Sequence, residues 1–67
     1  MEIRARLARN LKREREALGW SQEELADRAD LHRTYVSGIE RKVRNPTIEI
    51  VDRLAKALKV GAGSLLD

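Results

Sequence analysis

Two short helical patterns stand almost back to back between Trp20 and Arg41, and their spacing restricts the fold more than any other feature of the chain. Ser21-Gln22-Glu23-Glu24 is a capping box, with Trp20 before it and Leu25 inside it placed as a hydrophobic staple. Leu25, Ala26 and Ala29 then form an apolar face whose small alanines permit close helix approach. Asp30 and Leu31 fall between this face and the next. The turn is only about three residues, too short for an independent linker.

The flanking segments are helical as well. Residues 3–18 place Ile3, Leu7, Leu11 and Leu18 on one stripe with charges elsewhere, and Gly19 ends that helix. The third helix covers 32–41 with Val36 and Ile39 inward, and the segment from Arg41 to Pro46 breaks it. Thr47 caps a fourth helix whose inner face is Ile48, Val51, Leu54, Ala55 and Leu58, and GAGSLLD allows a last short helix capped by Ser64. Repeats, low-complexity segments and strand alternation are missing from the sequence. The expected fold is therefore all-α, a compact bundle of five short helices forming one domain over 1–67.

Composition narrows the function. The chain has no cysteine and one histidine, so neither a disulfide framework nor a thiolate metal site is expected, and no cofactor is called for. No apolar run approaches the roughly 18 residues that span a bilayer, and the N-terminus lacks the apolar core of a signal peptide. A cytoplasmic protein without a membrane partner is expected. The net charge is +3, unevenly spread: residues 1–20 carry six Lys/Arg against three Glu, 21–30 one against four, 31–47 four against one, and 48–67 three against three. Segregation of this kind favours a polyanion at one face.

The segment LHRTYVSGIERKVR, residues 31–44, is rich in Thr, Tyr, Val, Ser and Gly, which rank in the middle or at the bottom of helix propensity. With Val36 and Ile39 facing the core, the opposite face is Thr34, Ser37, Gly38 and Arg41. A merely solvated face would more often be Glu, Lys and Gln. Small outward residues lower the helix profile, so that its axis can approach a surface closely and its hydroxyls can reach hydrogen-bonding groups there.

A capped helix, a tight turn and a low-profile helix together make a helix-turn-helix. The run SQEELADRADLHRTYVSGIERKVRNPTIEIVDRLAKALKV resembles the phage-repressor and Cro-type helix-turn-helix family, also called the xenobiotic-response-element family, with SQEELA, YVSGIER and RNPT in the expected order. Within it, LHRTYVSGIERKVRN is also similar to the small controller proteins of restriction-modification systems. The resemblance implies sequence-specific binding of double-stranded DNA by a transcription regulator, with the helix at 32–41 in the major groove. It further implies that Gln22 donates to a phosphate with Ser21 sharing that contact, and that Arg33, Thr34, Ser37 and Gly38 occupy base-reading positions. Arg33 has the planar fork suited to guanine O6 and N7. Tyr35 is placed for sugar or phosphate, and Arg41, Lys42 and Arg44 for phosphates, which position without specifying. The chain departs from the family's usual pattern at His32, where a Ser or Asp cap is common, and at Asp30, where Gly is common; Asp tolerates the left-handed conformation.

Other features have structural readings. Arg15 falls on the apolar stripe of the first helix and Glu40 on the inner side of the third, so the two are expected to form a buried ion pair, as is common in the family. The Arg-rich first helix suits a solvated face, a membrane surface or further DNA backbone, and its interleaved Glu2, Glu14 and Glu16 weaken the membrane reading. His32 has no partners for catalysis, and no nucleophile and base are paired, so an enzyme is not expected. An antitoxin-type protein-interaction module that also binds DNA is the alternative; it would usually carry a long tail, which is not expected here. No pocket for a small-molecule effector is evident. Because one short helix reads few base pairs, a homodimer on an inverted-repeat operator is expected, with Ile50 and either Leu65 or Leu66 as the contact.

Overall fold

The computed structural model describes residues 2–67 and contains five helices: α1 (Ile3–Ala17), α2 (Gln22–Ala29), α3 (Arg33–Glu40), α4 (Ile48–Leu58) and α5 (Ala62–Leu66). Among the described residues there is no strand, and no helix is long and apolar enough to cross a membrane. α2 packs on α3 and α4, while α1 packs on α3 and α5, so α3 is held from two sides. Leu11, Leu25, Val36, Ile39, Leu54 and Leu65 are essentially inaccessible and join the five helices into one core.

Side chains and left-handed residues set the helix ends. Ser21 Oγ accepts from Glu24 N–H at 3.0 Å, and Thr47 Oγ1 from Ile50 N–H at 3.2 Å, each satisfying a first-turn donor. Only that half of the expected capping box forms at Ser21, because the Glu24 carboxylate accepts from Arg28 Nε at 2.7 Å, one turn further on. Trp20 packs against the core that contains Leu25 and carries the Arg28 guanidinium 4.3 Å from its ring centroid. Gly19, Asp30 and Lys59 take φ of 73°, 57° and 60° at three helix exits, so Asp30 adopts the left-handed turn expected of it.

Several inward assignments shift. Ile3 and Leu18 are about half exposed, at 45% and 49%, because they lie in the first turn of α1 and just past its end, where the chain overhangs the core. Their places are taken by Ala8, Asn10 and Arg15. Asn10 is 1% exposed, and its Nδ2 donates to Leu65 O at 3.1 Å and Asp67 O at 3.3 Å, clamping the end of α5 to α1. Ile48, expected inward, is 78% exposed: it opens α4, and a first-turn side chain leans back past the helix end. Gly61, not Ser64, is the N-cap of α5.

The Arg15–Glu40 pair forms as expected. Arg15 Nε donates to Glu40 Oε2 at 2.8 Å and Nη2 to Oε1 at 2.9 Å, with side chains only 10% and 5% exposed. Arg15 Nη1 also donates to Trp20 O at 2.8 Å, so the guanidinium bridges the α1–α2 loop and the end of α3. The hydrogen bonds to Glu40 hold the arginine above its ordinary pKa against the opposing effect of burial. A raised value means that its contribution is complete below the pH at which an unfolded arginine titrates. That contribution is lost only at still more alkaline pH.

Removing either partner strands a buried charge. Arg15→Ala or Glu40→Ala alone should therefore destabilise by about 3–5 kcal/mol, and a double substitution by apolar residues should recover much of the loss. Thermal melts that did not move for either single variant would show that the pair contributes nothing to holding the helices together.

Candidate nucleic-acid interface

The exposed face of the α2–turn–α3 unit is set by how the turn is closed. Leu31 N–H donates to Ala26 O at 2.8 Å, and Asp30 is left-handed. From α4, Arg53 donates Nε and Nη2 to Ala29 O at 3.2 and 3.0 Å, and Nη2 also to Asp30 O, so one guanidinium satisfies the carbonyls that the end of α2 leaves open. The sequence carried no signal of this role, since Arg53 reads as one more cation beside the α4 stripe. His32 caps α3 in extended conformation without a side-chain hydrogen bond, and the helix begins at Arg33 rather than at 32.

Arg33, Thr34 and Arg41 are exposed and Ser37 is half-exposed, so these four form the outer row of α3. Gly38 does not belong to it. It is buried, because the chain after α3 turns back and lays the Arg44 side chain over it, a contact that a wheel drawn on α3 alone cannot show. Tyr35 is half-buried beside the row, with the Arg44 guanidinium 5.7 Å from its ring centroid. Lys42 and Arg44 are exposed beyond the helix, and Lys42 holds φ of 65°. Arg33, Arg41, Lys42 and Arg44 thus concentrate four cations on α3 and the loop after it.

At the start of α2, Ser21 is exposed and its Oγ is already an acceptor, which leaves the hydroxyl proton to donate. Gln22 is half-buried, and its Nε2 donates to Glu40 Oε1 at 3.1 Å. That amide joins the Arg15–Glu40 pair and has one N–H left over. Further along α2, Glu23 and Asp27 share a cleft with His32, Arg33 and Thr34.

The residues expected at a dimer contact separate. Leu65 is fully buried among α1, α4 and α5 and offers nothing to a partner. Ile50 is half-buried against the same core, because position 50 lies at the edge of a broad inner face on α4. Leu66 is half-exposed and lines an open apolar groove with Ile3, Leu7, Pro46, Ile48 and Val51. The groove is the apolar surface that the sequence had suggested at Ile50.

The helix-turn-helix family HTH_3 matches residues 11–65, which include all of α2, α3 and α4. A hypothetical transcription factor of Neisseria meningitidis is 48% identical over 65 residues, covering 97% of this chain and 61% of that protein, so the chain spans less than two thirds of this curated relative. The crystal structure of a hypothetical transcription factor from Neisseria has a TM-score of 0.96 at 47% identity, covering 98% of this chain and 76% of the other. The restriction-modification controller protein C.AhdI from Aeromonas hydrophila has a TM-score of 0.89 at 37% identity, with 92% and 94% covered. The master regulator for biofilm formation SinR, solved in complex with DNA, has a TM-score of 0.86 at 34% identity, with 91% and 98% covered. With the capped α2, the left-handed turn and the low outer row of α3 in place, the chain belongs to the HTH_3, Cro/C1-type, helix-turn-helix family.

Proposed function

We propose that the chain is a dimeric transcription regulator that binds double-stranded DNA by laying α3 in the major groove. One observation carries the proposal: the short side chains of Thr34 and Ser37 face outward on α3 beside Arg33, with Arg41, Lys42 and Arg44 grouped at the helix end. Short side chains bring the helix close to base edges, and the cations meet the phosphates on the groove wall. The likeness to a regulator solved with DNA supports this assignment. Relatives named as transcription factors and controllers favour binding over catalysis. Such a regulator works in the cytoplasm alongside the DNA and needs no cofactor.

Arg33 and Arg44 then differ in kind. Arg33→Ala should lose about 1–3 kcal/mol of discrimination at one base pair, whereas Arg44→Ala should weaken all sequences alike and lower the salt slope of binding by about one. Equal losses on specific and random duplexes for Arg33→Ala would remove that residue from base readout. Footprinting upstream of the chain's own gene would supply the specific duplex.

The second copy is assigned to the groove at the start of α4. Ile48, exposed at 78%, stands beside Ile3, Pro46 and Leu66 in a groove that no residue of α3 lines, so pairing there need not cover the reading helices. Half-sites related by a two-fold axis should be inverted repeats about 10 bp, or roughly 34 Å, apart. Ile48→Glu should convert dimer to monomer while preserving helix content, because it brings like charges together across the axis. Sedimentation decides: a one-chain mass for the unaltered protein at DNA-binding concentrations removes the dimer, and a persistent dimer in Ile48→Glu removes this interface.

A further inference from the structure

Gly38 is the sixth residue of an eight-residue helix, a place where alanine would make the better helix. The reason for a glycine lies outside the helix. After Glu40 the chain passes Arg41 and the left-handed Lys42, and the reversal lets both Val43 N–H and Arg44 N–H donate to Gly38 O, at 2.9 and 3.1 Å. These two hydrogen bonds to one carbonyl lay the Arg44 stem on the Gly38 Cα. A Cβ at position 38 would overlap Arg44 Cγ, closer than real Cβ atoms approach, and would touch Arg44 Cβ and Cδ at 3.4 and 3.5 Å. Tyr35, three residues earlier on the same face, supplies the ring over which the guanidinium lies.

We propose that Gly38 is a positioning residue for DNA binding, acting through Arg44. The glycine leaves the room in which the Arg44 stem lies, and the Tyr35 ring attracts the guanidinium at its far end. The cation beyond the reading helix is therefore oriented before a phosphate arrives. A long side chain ordered in advance loses less entropy on binding, and a guanidinium held over a ring without a hydrogen bond to it keeps its N–H groups for a phosphate. The inference rests on the DNA-binding reading above. A different role for Gly38, letting the helix backbone approach the bases, makes its effect independent of Arg44.

The experiment is a double-variant cycle in which the chain is titrated with a random-sequence duplex over a range of salt. Arg44→Ala should bind several-fold more weakly, with a salt slope lower by about one. Gly38→Ala should reproduce both changes although Arg44 is still present, and the double variant should match Arg44→Ala rather than add a second loss. In Arg44→Ala only the Cβ of that side chain remains, at ordinary contact distance from a Cβ at 38. If Gly38→Ala alone loses helix signal, the double variant should regain it, and failure to do so overturns Arg44 as the obstacle. Additive losses, or unchanged binding by Gly38→Ala, overturn the inference while leaving the DNA-binding reading intact. An unaltered chain with no salt-sensitive duplex binding overturns both.

Discussion

The bidentate contact between Arg15 and Glu40 fixes where the proposed reading helix can be. Glu40 is the last residue of α3 and Arg15 belongs to the last turn of α1, so the pair pins one end of α3 to the longest helix in the fold. The same guanidinium holds Trp20 O, and the same carboxylate accepts from Gln22, which opens α2. Three chain segments therefore meet on two side chains. In water such a pair would contribute little, but here both side chains are nearly inaccessible, and each is tolerable only because the other is present. The start of α2 and the end of α3 are thereby held at a set separation, and on the DNA-binding reading both lie at the same phosphate-lined groove.

The other end of α3 is held differently. An eight-residue helix is far below the length at which helices persist alone, and α3 carries Thr, Val, Ser and Gly. Its N-cap His32 makes no side-chain bond, so no local device compensates. Packing does: Val36 and Ile39 are wholly buried, and the turn before the helix is closed by Leu31 N–H and by Arg53 reaching across from α4. Local weakness of α3 is thus offset by tertiary contacts. That division lets the outer row be chosen for its profile rather than for helix stability.

Legibility followed the range of the interaction. The cap at Ser21, the cap at Thr47 and the left-handed Asp30 are local, and each could be seen in a few neighbouring residues. The Arg15–Glu40 pair is distant in sequence, but each charge stands on an apolar stripe that only an opposite charge could make tolerable. Gly38 was misplaced because its environment is set by a loop that returns from Lys42 to Arg44, and helical periodicity carries no information about that return. Asn10 and Arg53 were missed for a related reason. Their partners are backbone carbonyls of α5 and of α2, and any polar side chain nearby could have served. At helix ends periodicity also failed, exchanging Ile48 for Ile50, because an overhanging first turn obeys the same spacing as a buried one.

On the DNA-binding reading, the charge pattern bears on the docking orientation as well as on the partner. Arg41, Lys42 and Arg44 gather at the end of α3, whereas at its start Glu23 and Asp27 share a cleft with Arg33. On the DNA-binding reading, phosphates brought into that cleft would meet those carboxylates, whereas phosphates at the end of α3 would meet Arg41, Lys42 and Arg44. Specificity of pose, like specificity of partner, is a difference between two free energies, and repulsion contributes to it as directly as attraction. The weak net charge of +3 is then no obstacle to binding a polyanion. On that reading, what matters is that the cations follow directly on Thr34 and Ser37, so that the orientation favoured by long-range electrostatics is one in which those short side chains face the bases.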